Sequence, residues 1–287
     1  MVVQPISSYR LASLQETMAQ LSKEDCHIMA GGTDLMVQHK SPMGAPAHFD
    51  KPLVFIDHLT ELRGIYQQNQ DLHIGACSTY SELLEHPLIP NILKKAIREI
   101  AAPAIRNRGT LGGNICNASP AGDTLPLLYL YNAKIRLRSA KGERAAEIHD
   151  FIQGPRRVNR LKDEIVTEIL LPDLQKDRTS LVFEKVANRR ADAIAKVSFA
   201  GSIQVDEGQI HDARFAFGAV GPTIVRSKEL EQKLRGEAFP LKGKVMDAIL
   251  ADYDRLIKPI DDQRSTALYR KTVALNLLRY FLETRGM

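Results

Sequence analysis

The most constraining feature of this sequence is a polar run from Arg106 to Asp123, which contains two adjacent glycines, an Asn and a Ser-Pro pair between apolar flanks. A second glycine pair stands in Ala30-Gly-Gly-Thr-Asp34, directly after a short apolar stretch. Glycine has no Cβ and adopts positive φ readily, so backbone N–H groups in such turns can approach a bound group closely. Two such turns suit a diphosphate-bearing cofactor, and a Cβ at Gly31 or Gly32 is expected to occupy phosphate space.

The common motifs of nucleotide binding and of covalent catalysis are missing. The sequence contains neither the P-loop pattern nor the G-x-G-x-x-G fingerprint. Its eight histidines pair with no Ser or Cys in a nucleophile motif. We therefore expect no catalytic residues of its own and a bound cofactor that carries the chemistry.

Several residues have an ordinary structural interpretation beside a functional one. The glycine pairs could be simple turns. Asp123 could accept a hydrogen bond from a sugar hydroxyl or a ring N–H, or it could be the N-cap of a helix that opens near Leu125. Lys185 could be a solvated strand lysine, and Arg189-Arg190 could pair with phosphates or lie in a surface loop.

Composition and cysteine spacing exclude other classes of protein. The net charge is only +5, Trp is absent, and no run of about five like charges occurs, which argues against nucleic acid and membrane surfaces as partners. The cysteines at 26, 77 and 116 form no C-x-x-C, and no His stands at ligand spacing from them. We expect no metal site, a reducing cytoplasmic location, and, without a signal peptide or an apolar run of about 18 residues, no membrane span.

Periodicity predicts an α+β chain with a change of pattern near residues 173–178. Capping boxes at Ser13–Glu16 and Thr79–Glu82 open two helices, and a third runs over 89–102. Short strands are predicted at 27–30, 53–56, 72–75, 134–138 and 164–171, with the return strand of a hairpin ending at 148. After the change come long strands at 181–187, 194–205 and 210–219 and helices at 241–256 and 262–284. Leu268, Leu275, Leu278 and Leu282 form the apolar stripe of the last helix.

Taken together, the motifs resemble the FAD-binding medium subunit of the molybdenum hydroxylases, the family of xanthine, carbon monoxide and nicotinate dehydrogenases. The segments that carry the resemblance cover essentially the whole chain: Ala30–Asp34, Ile105–Asn117, Ser119–Asp123, Glu164-Ile165 with Leu171-Pro172, Phe183–Arg190, and Asp192 with Ile194-Ala195. The order and the separations of these segments fit the family.

The resemblance implies an FAD-binding domain of the vanillyl-alcohol oxidase (PCMH) type over residues 1–175. Its first lobe would cover 1–57 and its second 58–175, with the cofactor between the two lobes. A C-terminal domain over 178–287, of the kind found in carbon monoxide dehydrogenase flavoproteins, would add a three-stranded antiparallel sheet and a helical bundle.

The resemblance also implies roles for individual residues. Backbone N–H groups of the first loop would hold the FAD diphosphate, and a second turn would contact phosphate. Asp123 would bind the adenosine end or fix that turn, Val166 would pack near the flavin, and Lys185 would reach the carbonyl edge of its ring. The full cofactor-binding set is Ile28, Met29, Ala30, Gly31, Gly32, Thr33, Asp34, Leu35, Ile100, Thr110, Gly112, Gly113, Asn114, Asp123, Val166 and Lys185.

Two departures and one rival accompany the resemblance. Ile100 stands where the animal xanthine enzymes carry an aromatic beside the flavin, which leaves NAD⁺ use open. The cysteine-bearing insertion of some relatives is absent, so no iron–sulfur cluster is expected in this chain. By resemblance, electrons would arrive from a small subunit with [2Fe–2S] clusters, fed by a molybdopterin large subunit, and leave to NAD⁺ or another acceptor. The alternative is a self-sufficient flavin oxidoreductase of the vanillyl-alcohol oxidase or MurB type.

Overall fold

The computed structural model describes residues 6–41, 47–172, 180–190 and 192–284. Within them, the strands are β1 Ser8–Tyr9, β2 His27–Met29, β3 Leu53–Phe55, β4 Ile65–Gln68, β5 Asp71–Gly75, β6 Lys134–Ser139, β7 Gly142–Glu147, β8 Ile152–Gly154, β9 Arg157–Val158, β10 Ile165–Leu171, β11 Ser180–Val186, β12 Val197–Asp206 and β13 Gln209–Gly218. The α-helices are α1 Leu14–Lys23, α2 Leu35–Gln38, α3 Tyr80–Glu85, α4 Asn91–Arg98, α5 Pro103–Arg106, α6 Leu111–Asn117, α7 Leu125–Leu130, α8 Ile148–Phe151, α9 Lys228–Lys233, α10 Gly243–Leu256 and α11 Ala267–Thr284, with a 3₁₀ turn at Thr60–Leu62.

The chain divides into two compact units that do not follow chain order. Unit 1 comprises Met1–Leu88, Ala102–Asn117 and Ala133–Pro172. Unit 2 comprises Ile89–Ala101, Ala118–Asn132 and Asp173–Met287. Two segments of the predicted FAD-binding region therefore belong to the unit that contains the C-terminal sheet. The predicted boundary at 173–178 lies outside the described residues, and the domain limits stay a prediction.

A small parallel sheet opens unit 1. Its strand order is β1-β3-β2, and both outer strands run parallel to β3. Helix α1 begins where the Ser13 side chain accepts the N–H of Glu16, and it buries Leu14, Met18 and Leu21 in a core that includes Val54 and residues of the following segment. Burial of these apolar side chains is the main stabilising contribution to the layer.

The second sheet of unit 1 is antiparallel, with strand order β4-β5-β10-β6-β7. Strand β10 occupies its centre, and five of its first six side chains are buried, as expected for a strand paired on both edges. A register shift between Val166 and Glu168 bends this strand. Helix α3 begins with a complete capping box between Thr79 and Glu82.

Unit 2 is built on the antiparallel sheet β11-β12-β13, whose last two strands are joined by a tight turn at Glu207 and Gly208, both at positive φ. Helices α9, α10 and α11 pack with the sheet, and their shared core is aromatic, with Phe199, Phe215 and Phe217 of the sheet in contact with Tyr253 or Phe281. The expected α+β class, with a C-terminal three-stranded sheet and helices, is confirmed.

Three details differ from the sequence predictions. The helix expected to reach residue 102 ends at Arg98, and Ala101 follows at φ +41°, a conformation that ends a helix. The last helix begins at Ala267 rather than 262, because the Asp262 side chain accepts the backbone N–H groups of the next turn. The predicted apolar stripe is right at Leu278 and Leu282 but wrong at Leu268, which is 75% exposed.

Candidate functional site

The two glycine motifs of the sequence meet in unit 1. Gly31 lies so close to the backbone of residue 108 that a Cβ built on it would stand 1.8 Å from the Arg108 carbonyl oxygen. Gly32 has φ +73°, which favours glycine, whereas a Cβ there would find its nearest neighbour, the Met29 sulfur, at 3.4 Å. Glycine is therefore required at position 31 for close backbone packing and at position 32 for conformation. The expected reason, space for phosphate, is not needed to explain either residue.

The loop between β2 and α2 presents successive unpaired backbone donors. Among the residues that the structure describes, the N–H groups of Gly31, Gly32, Thr33 and Asp34 donate to no acceptor of the chain. The loop carbonyls of Gly32 and Asp34 are used, because they accept the N–H groups of Met36 and Gln38 in α2. Consecutive N–H groups around a left-handed glycine form a concave site that favours an anion.

The second glycine motif is hydrogen bonded differently. Thr110, Gly112, Gly113 and Asn114 were expected to form a turn, but the last three lie in helix α6. The N–H of Gly112 donates to the Ala76 carbonyl at 3.0 Å, and that of Gly113 donates to Thr110 Oγ1 at 3.1 Å. The N–H of Asn114 donates to the Thr110 carbonyl. These three backbone donors are occupied within the protein, so they are not available to a phosphate.

The glycines of the second motif serve packing. A Cβ on Gly112 would stand 2.7 Å from both the Cβ and the carbonyl oxygen of Ala76, and one on Gly113 would stand 2.8 Å from Thr110 Oγ1. Val166, expected near the flavin, is buried in β10 immediately before its irregularity. The segment 106–114 approaches the first loop most closely where the Arg108 carbonyl meets Gly31.

Three further predicted residues converge in unit 2. Lys185 on β11 points its ammonium group at two acceptors, Asp123 Oδ2 at 2.7 Å and the carbonyl oxygen of Glu99 at 2.9 Å. The Lys185 side chain is only 1% exposed, so the interpretation as a solvated strand lysine is wrong. Ile100 directly follows Glu99, whose backbone carbonyl accepts the Lys185 ammonium group.

Asp123 is a buried carboxylate with one oxygen left over. Its Oδ1 is buried without a hydrogen-bond partner among the described residues. Burial raises the pKa of Asp123 to about 6, and the Lys185 ammonium opposes that rise. Asp123 is not the N-cap of α7, because Thr124 holds that position. An unsatisfied buried acceptor is costly, so we expect the unpaired Oδ1 to accept a hydrogen bond from a bound group.

The ion pair constrains the roles expected for its members. Lys185 Nζ lies 2.7 Å from Asp123 Oδ2, so we expect the two side chains to contact the same part of a bound cofactor. Arg189 and Arg190 are exposed, and Arg189 forms an ion pair with Asp192. Both features are those of a surface loop. Sequence reasoning missed the carbonyl of Glu99 as the second anchor of Lys185, because a backbone acceptor leaves no side-chain signal.

Comparison with known families decides the identity of the chain. Residues 4–174 match the family described as "FAD binding domain in molybdopterin dehydrogenase", and residues 183–284 match "CO dehydrogenase flavoprotein C-terminal domain". The chain belongs to the FAD-binding medium subunits of the molybdenum hydroxylases. Its cofactor is FAD, and it is an oxidoreductase flavoprotein subunit.

Curated members of this family and their structures agree with the assignment over nearly the whole chain. The xanthine dehydrogenase FAD-binding subunit of Escherichia coli O157:H7 is 30% identical, with 92% of this chain and 90% of that subunit covered. The nicotinate dehydrogenase FAD-subunit of Eubacterium barkeri is 32% identical, with 85% and 82% covered. A chain of carbon monoxide dehydrogenase from Hydrogenophaga pseudoflava superposes with a TM-score of 0.86 at 25% identity, covering 97% of this chain and 96% of that one. None of the described helices is long and apolar enough to cross a membrane.

Proposed function

We propose that the loop Ala30–Leu35 holds the FAD diphosphate through the N–H groups of residues 31–34. The observation that carries this proposal is the set of four successive backbone donors without an acceptor in the described chain. A diphosphate is anionic and accepts several hydrogen bonds at once, which matches such a set. Ile28 and Met29 set the start of the loop, since β2 ends at Met29. Thr110 and Asn114 add side-chain donors.

The Asp123–Lys185 pair serves the flavin ring in this proposal. Lys185 supplies positive charge at the carbonyl edge, which favours the reduced ring electrostatically. Asp123 positions the Lys185 ammonium, and its unpaired Oδ1 accepts a ring N–H. Ile100 contributes an apolar contact to the ring. In this proposal Asp123 contacts the flavin ring and not the adenosine end of FAD.

Bound FAD supplies a ring that accepts electrons singly and releases them as a pair, which suits a junction between one-electron and two-electron carriers. We propose that the electrons come from a small subunit with [2Fe–2S] clusters, fed by a molybdopterin large subunit that hydroxylates the substrate. They leave to NAD⁺ or another acceptor in the cytoplasm. Related proteins carry the names of xanthine and nicotinate dehydrogenases, and their variety is expected if the substrate binds on the large subunit.

The first experiment is the absorption spectrum of the purified chain, with the released cofactor identified by mass. We expect the oxidised flavin spectrum and one FAD per chain. A colourless protein that takes up no added FAD would overturn the diphosphate loop.

A second experiment separates the proposal from a self-sufficient flavoenzyme. We expect the chain to copurify with an iron–sulfur subunit. In that complex the flavin should be reduced by a substrate of the large subunit, while the isolated chain shows no such bleaching. Substrate-dependent bleaching by the isolated chain would contradict the electron-transfer role.

A further inference from the structure

Cysteine spacing predicts no metal site in this chain, yet folding gathers three ligand-type side chains that are far apart in sequence. His27 is the first residue of β2, His39 is the C-cap of α2, and Asp50 precedes β3. One ring nitrogen from each His and one oxygen of Asp50 all lie within 4.8 Å of one another. The cluster belongs to unit 1 and is separate from the cofactor contacts proposed above.

The rings of this cluster are held by their neighbours. His39 Nδ1 lies 2.9 Å from the carbonyl oxygen of His48. A carbonyl only accepts, so Nδ1 carries the proton and the lone pair is on Nε2. The His39 ring stacks on Phe49 with centroids 4.5 Å apart, and the His27 ring meets it edge-on at 4.7 Å. A histidine that donates one N–H to a carbonyl is the usual arrangement of a metal ligand, because that bond fixes the tautomer and the ring.

The third donor is a carboxylate. His27 Nε2 lies 2.6 Å from Asp50 Oδ1. The cluster therefore offers two imidazole nitrogens and one carboxylate oxygen. Magnesium and calcium prefer all-oxygen sets, whereas two imidazoles with a carboxylate suit zinc.

We propose that His27, His39 and Asp50 form a binding site for Zn²⁺, with water as the fourth ligand. Tetrahedral bonds of about 2.0–2.2 Å place neighbouring donors roughly 3.3–3.6 Å apart. To reach this spacing, the distance from His27 Nε2 to Asp50 Oδ1 must increase from 2.6 Å. The other distances between ligand atoms, which are at most 4.8 Å, must decrease. Side-chain rotation supplies shifts of this size. The ion takes the place of the Nε2 proton that His27 shares with Asp50, and the neutral ring then carries its N–H on Nδ1, so no net proton is released.

The site has a structural consequence that rests on the proposed function. His27 and His39 stand at either end of the segment that contains the loop Ala30–Leu35. A zinc ion bound to both would close this segment at its base and limit the motion of the loop. The zinc site itself does not depend on the role of the loop.

The test uses the full chain after removal of metals by chelation. Calorimetric titration with Zn²⁺ near neutral pH should give one equivalent of bound ion per chain. Substitution of Co²⁺ should give the intense visible bands of a four-coordinate site. Loss of a donor should weaken Zn²⁺ binding by at least about tenfold in His39→Ala and in Asp50→Asn. Asp50→Asn keeps the shape of the side chain and so guards against a folding defect in His39→Ala.

The matched control is His211→Ala, which removes an exposed histidine of unit 2 and should leave Zn²⁺ binding unchanged. Unaltered Zn²⁺ affinity in Asp50→Asn, an equal loss in His211→Ala, or no binding to the unaltered chain would overturn the site. FAD content is measured in the same samples. A chain that binds FAD but not Zn²⁺ refutes the zinc site alone, and a chain that binds Zn²⁺ but not FAD refutes the diphosphate loop alone.

Discussion

The variant Gly31→Ala tests the close approach of the two glycine motifs. The new Cβ would stand 1.8 Å from the Arg108 carbonyl oxygen and 2.6 Å from its carbon, whereas an ordinary carbon–oxygen contact is about 3.3 Å or longer. Both segments must therefore separate by roughly 1.5 Å, and neither partner is a flexible side chain. Forced shifts of this kind cost about 1–3 kcal/mol. The melting temperature of the apoprotein should therefore fall by several degrees, since each kcal/mol lowers it by about 2–4 °C.

The same displacement should weaken FAD binding. Each lost hydrogen bond to a charged group costs about 1.5–3 kcal/mol, and about 1.4 kcal/mol is tenfold in affinity. We expect the dissociation constant of FAD, measured by flavin fluorescence during titration of the apoprotein, to rise at least about tenfold.

Two other glycines separate overlap from backbone strain. Gly32 and Gly208 have nearly equal φ angles, +73° and +79°, and a Cβ on Gly208 would meet nothing within 4 Å. The variants Gly32→Ala and Gly208→Ala therefore introduce the same backbone strain. Both variants pay the strain of a left-handed alanine, about 1–2 kcal/mol, but only Gly32 lies in the loop. Gly208→Ala should lose stability and keep FAD. A Gly31→Ala chain with FAD affinity within about twofold of the unaltered chain and an unchanged melting temperature would refute the reasoning.

The remaining predictions concern charge and capping. Lys185→Met should lower the flavin reduction potential by at least about 30 mV, equivalent to about 1.4 kcal/mol for two electrons, and an unchanged potential in potentiometry would remove Lys185 from the ring. Because burial raises the pKa of Asp123 to about 6 from an ordinary 3.8, the folded state holds this proton more firmly, so the stability of the apoprotein should fall as the pH rises between these values. Lys185→Met should extend that fall above pH 6, and coinciding pH profiles of the melting temperature would contradict it. Arg226→Met leaves Glu231 buried without its 2.8 Å partner and should cost about 3–5 kcal/mol in denaturant unfolding, in part recovered by a second change, Glu231→Met. Thr79→Ala removes a complete capping box and should cost about 1 kcal/mol, whereas no loss would mean that Glu82 alone caps the helix.

The elements of this fold that could be predicted from sequence are those governed by local chemistry. Ser13 and Thr79 start helices at the predicted positions, because an N-cap side chain acts within one turn. The hairpin turn at Glu207-Gly208 was predictable for the same reason. The identity of the family and of its cofactor also followed from the sequence, since the glycine motifs and the later segments occur in the family's order.

The contacts that are distant in sequence could not be predicted. Nothing in the residues around Gly31 indicates that its missing Cβ makes room for the Arg108 carbonyl. The pairing of Asp123 with Lys185 depends on how α7 and β11 are placed in unit 2, and neither of the two roles expected for Asp123 indicated it. The helix over 111–117 was unexpected because Gly112 and Gly113 are poor helix formers, and packing against Ala76 overrides that preference.

The segments of the two units alternate along the chain, which limits where the protein can be divided into fragments that fold. In unit 2, helix α4 lies against β11, with Lys95 bonded to the Phe183 carbonyl, and α7 lies against β12 and β13. A gene fragment that stops near residue 175 would encode α4 and α7 but not the sheet on which they pack. A fragment that starts there would encode the sheet with part of its surface bare. Neither fragment would contain all the segments of unit 2, so neither is expected to fold as an independent domain.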